Sequence, residues 1–151
     1  RSNGGFAWYE GMRTSVYITA QILEGLGQLK KENIIDFNKN YTAKNIARKA
    51  VKYLDAELMR KYLQETSSAK KITDSYGETY ILQARAYFLS YFQLDEKQEA
   101  AYDYYLNKWG KNWAKAGLIT QMKLAKTNLL FNKNDQADAV LLSIKDKALR
   151  D

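Results

Sequence analysis

Glu10 and Glu24 are the nearest this sequence comes to a general acid/base pair. Hydrolysis of a glycosidic bond needs two placed carboxyl groups, often one with a raised pKa. Glu24 falls inside an amphipathic run, where an exposed or lysine-paired role is the simpler reading. No Asp-rich motif for a metal or a diphosphate accompanies either residue. Composition removes most other catalytic machinery. The 151 residues contain no histidine and no cysteine. Imidazole bases, Ser-His-Asp triads, Cys nucleophiles, disulfides and thiolate or imidazole zinc sites are therefore absent from this segment. No catalytic residue, metal site or cofactor is expected.

A second constellation is the stripe Tyr102, Tyr105, Trp109 and Trp113, with Lys108, Lys111 and Lys115 beside it. Aromatic rings and cations together can hold a nucleic-acid strand. Their helical spacing favours packing in a core instead. No recognised nucleic-acid motif is present, so no nucleic-acid partner is expected. The net charge of +7 reads as a lysine-rich solvated surface, and Lys70-Lys71 as part of a solvated loop. With 46% hydrophobic residues the chain can bury a core. No apolar run approaches the ~18 residues a membrane span requires, so no membrane contact by this segment is expected.

Apolar periodicity predicts the elements that position these residues. Val16, Ile18, Ile22, Leu23, Leu26 and Leu29 recur at helical spacing from Thr14 to Lys31, with Thr14 or Ser15 as N-cap. Gly25 and Gly27 weaken this helix and suggest close approach of a neighbour. Asn38 to Tyr41 reads as a loop. Thr42 then caps a more charged, outward-lying helix to about Gln64, and Ala69 to Tyr76 is a polar linker. Glu78 to Phe92 is apolar nearly all round, as an interior helix is, with Arg85 its only charge past Glu78. Glu96 to Trp113 follows. Lys115 to Phe131 is expected to turn Leu118, Ile119, Met122, Ala125, Leu129 and Leu130 inward. Asn132 to Asn134 is a turn, and Asp135 to Leu149 should bury Ala137, Val140, Leu141, Ile144 and Ala148. The absence of proline fits this nearly all-helical reading.

The fold class expected is all-α: six helices in three consecutive αα-hairpins spanning 14–149. Uneven spacing argues against a fixed-period solenoid. More apolar odd helices and more polar even ones describe inner and outer layers of an α/α toroid. A closed six-hairpin ring needs about twice this length, so 1–151 reads as a single partial domain, about half of an α6/α6 toroid. Its inner helices would expose apolar surface and favour self-association.

Residues 1–13 form a Gly/aromatic turn leading into the first helix. Three aromatics are threaded between three glycines in Asn3-Gly4-Gly5-Phe6-Ala7-Trp8-Tyr9-Glu10-Gly11. Glycine permits tight bends, and Phe6, Trp8 and Tyr9 are large anchors. These aromatics are expected to be buried, plugging the toroid's end; the alternative is a surface that contacts another domain. With no initiator Met or signal peptide before Arg1, the chain reads as a segment of a longer protein.

That opening stretch, followed by Ser15-Val16-Tyr17-Ile18-Thr19 and Ile22-Leu23-Glu24-Gly25-Leu26-Gly27-Gln28-Leu29, resembles the thioester-domain region of bacterial alpha-2-macroglobulins. Gly4, Gly5, Phe6, Trp8, Gly11 and Thr19 carry the structural motif. Tyr80 to Phe88 and Gln121 to Ala148 look like the same family, and complement proteins show the pattern more loosely. The resemblance implies an α6/α6 toroid of the terpenoid cyclase/protein prenyltransferase type. It implies a periplasmic or cell-envelope protein that traps proteases: a bait region is cut, the molecule rearranges, and in many members a Cys-Gly-Glu-Gln thioester captures the attacker. This segment has no cysteine; the motif either lies upstream in the parent or is missing from it. The implied partners are proteases, through the intact parent, and neighbouring macroglobulin domains. The implied role is non-catalytic support of the thioester-type domain. A helical-repeat binding scaffold and an α/α-toroid carbohydrate-active enzyme are the rival readings.

Overall fold

The computed structural model describes residues 2–67, 77–111 and 113–149. Among these residues there are six α-helices, one 3-10 turn and no strand, so the fold is all-α. The helices are α1 (Val16–Lys31), α2 (Tyr41–Ser67), α3 (Gly77–Ala86), α4 (Glu96–Gly110), α5 (Leu118–Leu130) and α6 (Asn134–Ala148), with the 3-10 turn at Trp113–Lys115. None of the described helices is long and apolar enough to cross a membrane. The linker expected at Ala69 to Tyr76, with Lys70-Lys71, lies outside the described residues. The chain forms two compact units, residues 1–102 and 103–151, whose boundary falls within α4.

In the first unit α1 packs against both α2 and α3. Ser15 caps α1, its Oγ accepting from the Ile18 N–H at 3.3 Å. At the other end Asn33 takes φ 58°, and Lys30 and Lys31 face the helix dipole. Asn40, rather than Thr42, caps α2 by accepting from the Ala43 N–H at 2.9 Å. Although α2 is rich in charge, its stripe Ala43, Ala47, Ala50, Leu54 and Leu58 is buried. Gly27 gives α1 its close approach: a Cβ there would lie 2.5 Å from the Tyr87 Cβ. Gly25 has open space around it.

The third helix is interior, with Ile81 to Ala86 all buried. It stops at Ala86, six residues short of the expected Phe92. The i→i+3 bonds from the Phe88 N–H to the Arg85 carbonyl and from the Tyr91 N–H to the Phe88 carbonyl tighten the chain into turns. Phe88 then stacks on Phe37 with ring centroids 6.0 Å apart. The aromatic run looks helical in sequence, but its rings are spent on this cluster.

In the second unit α5 packs on α6, and the 3-10 turn contacts both. The α4 helix ends at Gly110 rather than Trp113, which belongs to the 3-10 turn. Trp109, Trp113 and Ile144 pack against buried Leu124, Ala125 and Val140. Tyr105 is buried in this unit and Tyr102 in the first, so the rings of the stripe pack inward as their spacing favours. The inward face of α5 differs from expectation. Leu118, Ile119, Met122 and Leu129 are exposed, while Gln121, Leu124, Ala125, Thr127 and Asn128 are buried. On α6, Ala137 and Val140 are buried but Leu141 and Ala148 are exposed.

Gln121 explains the rotation of α5. Its Nε2 donates to the carbonyls of Trp113 (3.1 Å), Ala114 (3.4 Å) and Ala116 (3.0 Å). One buried amide thus serves the carbonyls of the 3-10 turn, and backbone acceptors away from water need such partners. Gln121→Met keeps the volume and removes the donors. It should lower stability by about 1–3 kcal/mol, read as an earlier urea midpoint. An unchanged midpoint would show that the clamp is not needed.

Candidate functional site

The segment before α1 is held by hydrogen bonds that its sequence supplies. Thr19, fully buried on the first turn of α1, is the hub. Its Oγ1 accepts from the Phe6 N–H at 2.8 Å and donates to the Ser15 carbonyl at 2.8 Å. The Ser15 N–H donates to the Phe6 carbonyl at 2.7 Å, so Phe6 is tied to the helix start through both backbone groups. Asn3 closes the outer side: its Oδ1 accepts from the Gly5 N–H at 3.0 Å, and its Nδ2 donates to Thr14 Oγ1 at 3.4 Å.

Gly4 sits at φ +84°, and a Cβ there would run into the Lys49 carbonyl of α2. The chain can pass this close to α2 only with a hydrogen in place of a side chain. Gly5 is also buried, against Thr14 and Tyr53. Gly4, Gly5, Phe6 and Thr19 are therefore brought together in one knot.

Trp8 and Gly11 are not part of that knot. Gly11 lies in an open turn at φ +89° with nothing near its Cβ position. Trp8 is 62% exposed and Tyr9 74% exposed, which corrects the expectation that these aromatics are buried as a plug. With Phe6 and Thr19 fixing the segment's backbone, the two rings project from its outer side. Trp8 stacks on Tyr17 of α1 at 6.3 Å between centroids, and Tyr17 meets Tyr80 of α3 edge-on at 4.9 Å. An open cavity of about 760 Å³ runs along the same segment from Gly5 to Gly11. This arrangement leaves the Trp8 and Tyr9 rings open to solvent. Glu10 is exposed in the loop and Glu24 half-buried on α1.

The buried polar centre of the first unit escapes sequence reasoning. Asp55 of α2 accepts from Arg85 Nε at 3.0 Å and from the Tyr102 hydroxyl at 2.6 Å, on the same Oδ1. Arg85 Nη2 donates to the Phe92 carbonyl at 2.6 Å. All three side chains are buried. Burial pushes the Tyr102 hydroxyl well above its ordinary pKa; the Asp55 charge and hydrogen bond add to this, and Arg85 opposes it. A second inward carboxylate, Glu78, accepts from Lys61 Nζ at 2.9 Å. The signal for the centre was Arg85 itself, since a lone charge in an apolar helix calls for an acidic partner.

The arrangements found here are a backbone knot before α1, a set of exposed and half-buried aromatic rings beside it, and a buried ion pair. Comparison with protein-family models, with curated proteins and with solved structures yields no match.

Proposed function

We propose that this chain is part of the thioester-type domain of a bacterial alpha-2-macroglobulin-like protease trap in the periplasm or cell envelope. In this reading it performs no covalent chemistry and braces the domain. Proteases are met through the intact parent, and neighbouring macroglobulin domains are its direct contacts. The observation that carries the reading is the knot at Gly4, Gly5, Phe6 and Thr19. Four of the six residues that carry the family likeness meet there: close approach accounts for Gly4 and Gly5 and the shared hydroxyl for Thr19, while Phe6 joins through its backbone. Exposed Trp8 and Tyr9 suit a segment that contacts another domain of the parent.

The toroid belongs to the same proposal. In such a ring the inner helices are neighbours and the outer helices lie behind them. The extensive packing of α1 on α3, with α2 against both, fits that pattern. The coding sequence upstream of Arg1 tests the proposal. Macroglobulin-type β-sandwich repeats are expected in the same reading frame, and their absence would overturn it.

An open half ring should also self-associate. Leu118, Ile119, Met122 and Leu129 of α5 and Leu141 and Leu142 of α6 are exposed, and exposed apolar surface of this kind favours association. Light scattering of the isolated chain should give a dimer or larger. A monomer that persists at high concentration would count against the open half toroid.

A further inference from the structure

The second unit holds a cavity of about 670 Å³ where the end of α4, the 3-10 turn, α5 and the start of α6 converge. Leu124, Val140 and Ala139 supply apolar wall, Trp113 an indole, and Asn107, Asn128 and Gln136 side-chain amides. A mostly apolar concavity with a few placed polar groups is the usual make-up of a small-molecule site. Two of the amides are already oriented, since Gln136 Nε2 donates to Asn107 Oδ1 at 3.3 Å and so ties α6 to α4. The third is unsatisfied: Asn128 is 1% exposed, and its Oδ1 has no hydrogen-bond partner. Buried acceptors of this kind are rare in folded proteins and call for an explanation.

The lining also narrows the ligand's chemistry. The charged residues at the cavity, Lys111 and Asp135, are both exposed and opposite in sign. With one charge of each sign on the lining, a charged ligand group would gain a partner from one and repulsion from the other, and would still lose its hydration, which is costly. The occupant is therefore neutral. Amides offer both donors and acceptors, which matches a molecule carrying several hydroxyls. Indole and aliphatic walls match an apolar ring face. Each helix contributes only one or two turns, from 107 to 111, 124 to 128 and 135 to 140, so the space is compact and does not run on as a peptide groove would. We propose that this cavity binds a neutral polyhydroxylated ring, a monosaccharide or the terminal sugar of a glycan. The proposal is independent of the protease-trap reading.

Titration of the full chain with glucose, with N-acetylglucosamine and with tri-alanine, followed by calorimetry and tryptophan emission, tests it. At least one of the two sugars should bind saturably with a millimolar dissociation constant. Asn128→Leu and Trp113→Phe should each weaken that binding about ten-fold. Ala139→Trp, which fills the cavity from an exposed position on α6, should abolish it while leaving the circular dichroism spectrum unchanged. No saturable binding by either sugar overturns the proposal. Sugar binding that survives Ala139→Trp overturns the location, and saturable binding of tri-alanine in place of the sugars overturns the ligand class.

Discussion

Replacing Asp55 with alanine should destabilise the first unit by about 3–5 kcal/mol, a large share of the stability of an ordinary domain. The reason lies in what is left behind. The Arg85 guanidinium is a permanent cation with donors and no acceptor. The Arg85 side chain is 1% exposed, its Nη1 already lacks a hydrogen-bond partner, and Asp55 is the ion-pair partner it has among the described residues. Removing the carboxylate strands a cation in the core and takes the acceptor from the Tyr102 hydroxyl as well. The pair itself need not be worth that much, because two charges were desolvated to form it. The double variant Asp55→Leu with Arg85→Met should therefore recover most of the loss. Urea unfolding at neutral pH of the wild type, the single variants and the double variant separates the terms. A single variant as stable as the wild type would refute the ion-pair account.

Tyr102 gives the same centre a pH signature. Its hydroxyl is held above the ordinary tyrosine value of about 10. The folded state thus keeps this proton more tightly than the unfolded chain does. The associated stability is complete below about pH 10 and is lost as pH rises from there toward the folded-state value. The informative quantity is the difference between wild type and Tyr102→Phe, which isolates this hydroxyl from every other group. That difference should be constant through neutral pH and change only above about pH 10, with the variant losing stability less steeply. Parallel alkaline limbs would mean that the hydroxyl is not held in this way.

Helix existence could be read from the sequence because apolar spacing reports it directly, as for Val16 to Leu29. Which face turns inward could be read only where apolar residues alone decide. On α5 they do not: the Gln121 amide meets three backbone carbonyls, and that demand places Leu118, Ile119 and Met122 toward solvent. Counting hydrophobic residues gives no weight to a polar side chain that completes a turn. The early end of α3 has a related cause. Tyr87 to Phe92 has the composition of a helix, but the Phe92 carbonyl is taken by Arg85 and the Phe88 ring by Phe37. Both partners are distant in sequence or set by tertiary packing. Asp55 is one charge among many on α2, and its role depends on Arg85, 30 residues away on α3. In the opening segment, the glycines announced a bend, but their sequence could not say that Thr19 ties it or that Trp8 and Tyr9 stay outside.

Gly4→Ala should be the most damaging small change in that segment, lowering stability by about 2–4 kcal/mol. Two costs add. The φ of +84° is one that residues with a Cβ rarely adopt, and the new methyl would meet the Lys49 carbonyl, a backbone atom fixed within α2. A flexible side chain could swing aside from such a contact, but a helix carbonyl cannot. The segment must then either lift off α2 or distort it. If it lifts, the Phe6–Thr19 and Phe6–Ser15 bonds are strained with it, and the stack of Trp8 on Tyr17 loses its footing. Gly11→Ala serves as the control: its φ is also positive, at +89°, but its Cβ position is empty. It should lose only the backbone term, about 1 kcal/mol. Thermal unfolding ranks the two variants, and amide hydrogen exchange at Phe6 and Ser15 locates the damage. Faster exchange at these amides in Gly4→Ala, with Gly11→Ala near wild type, is the expected pattern. Equal effects of the two substitutions would show that conformation alone, and not the approach to α2, requires glycine at this position.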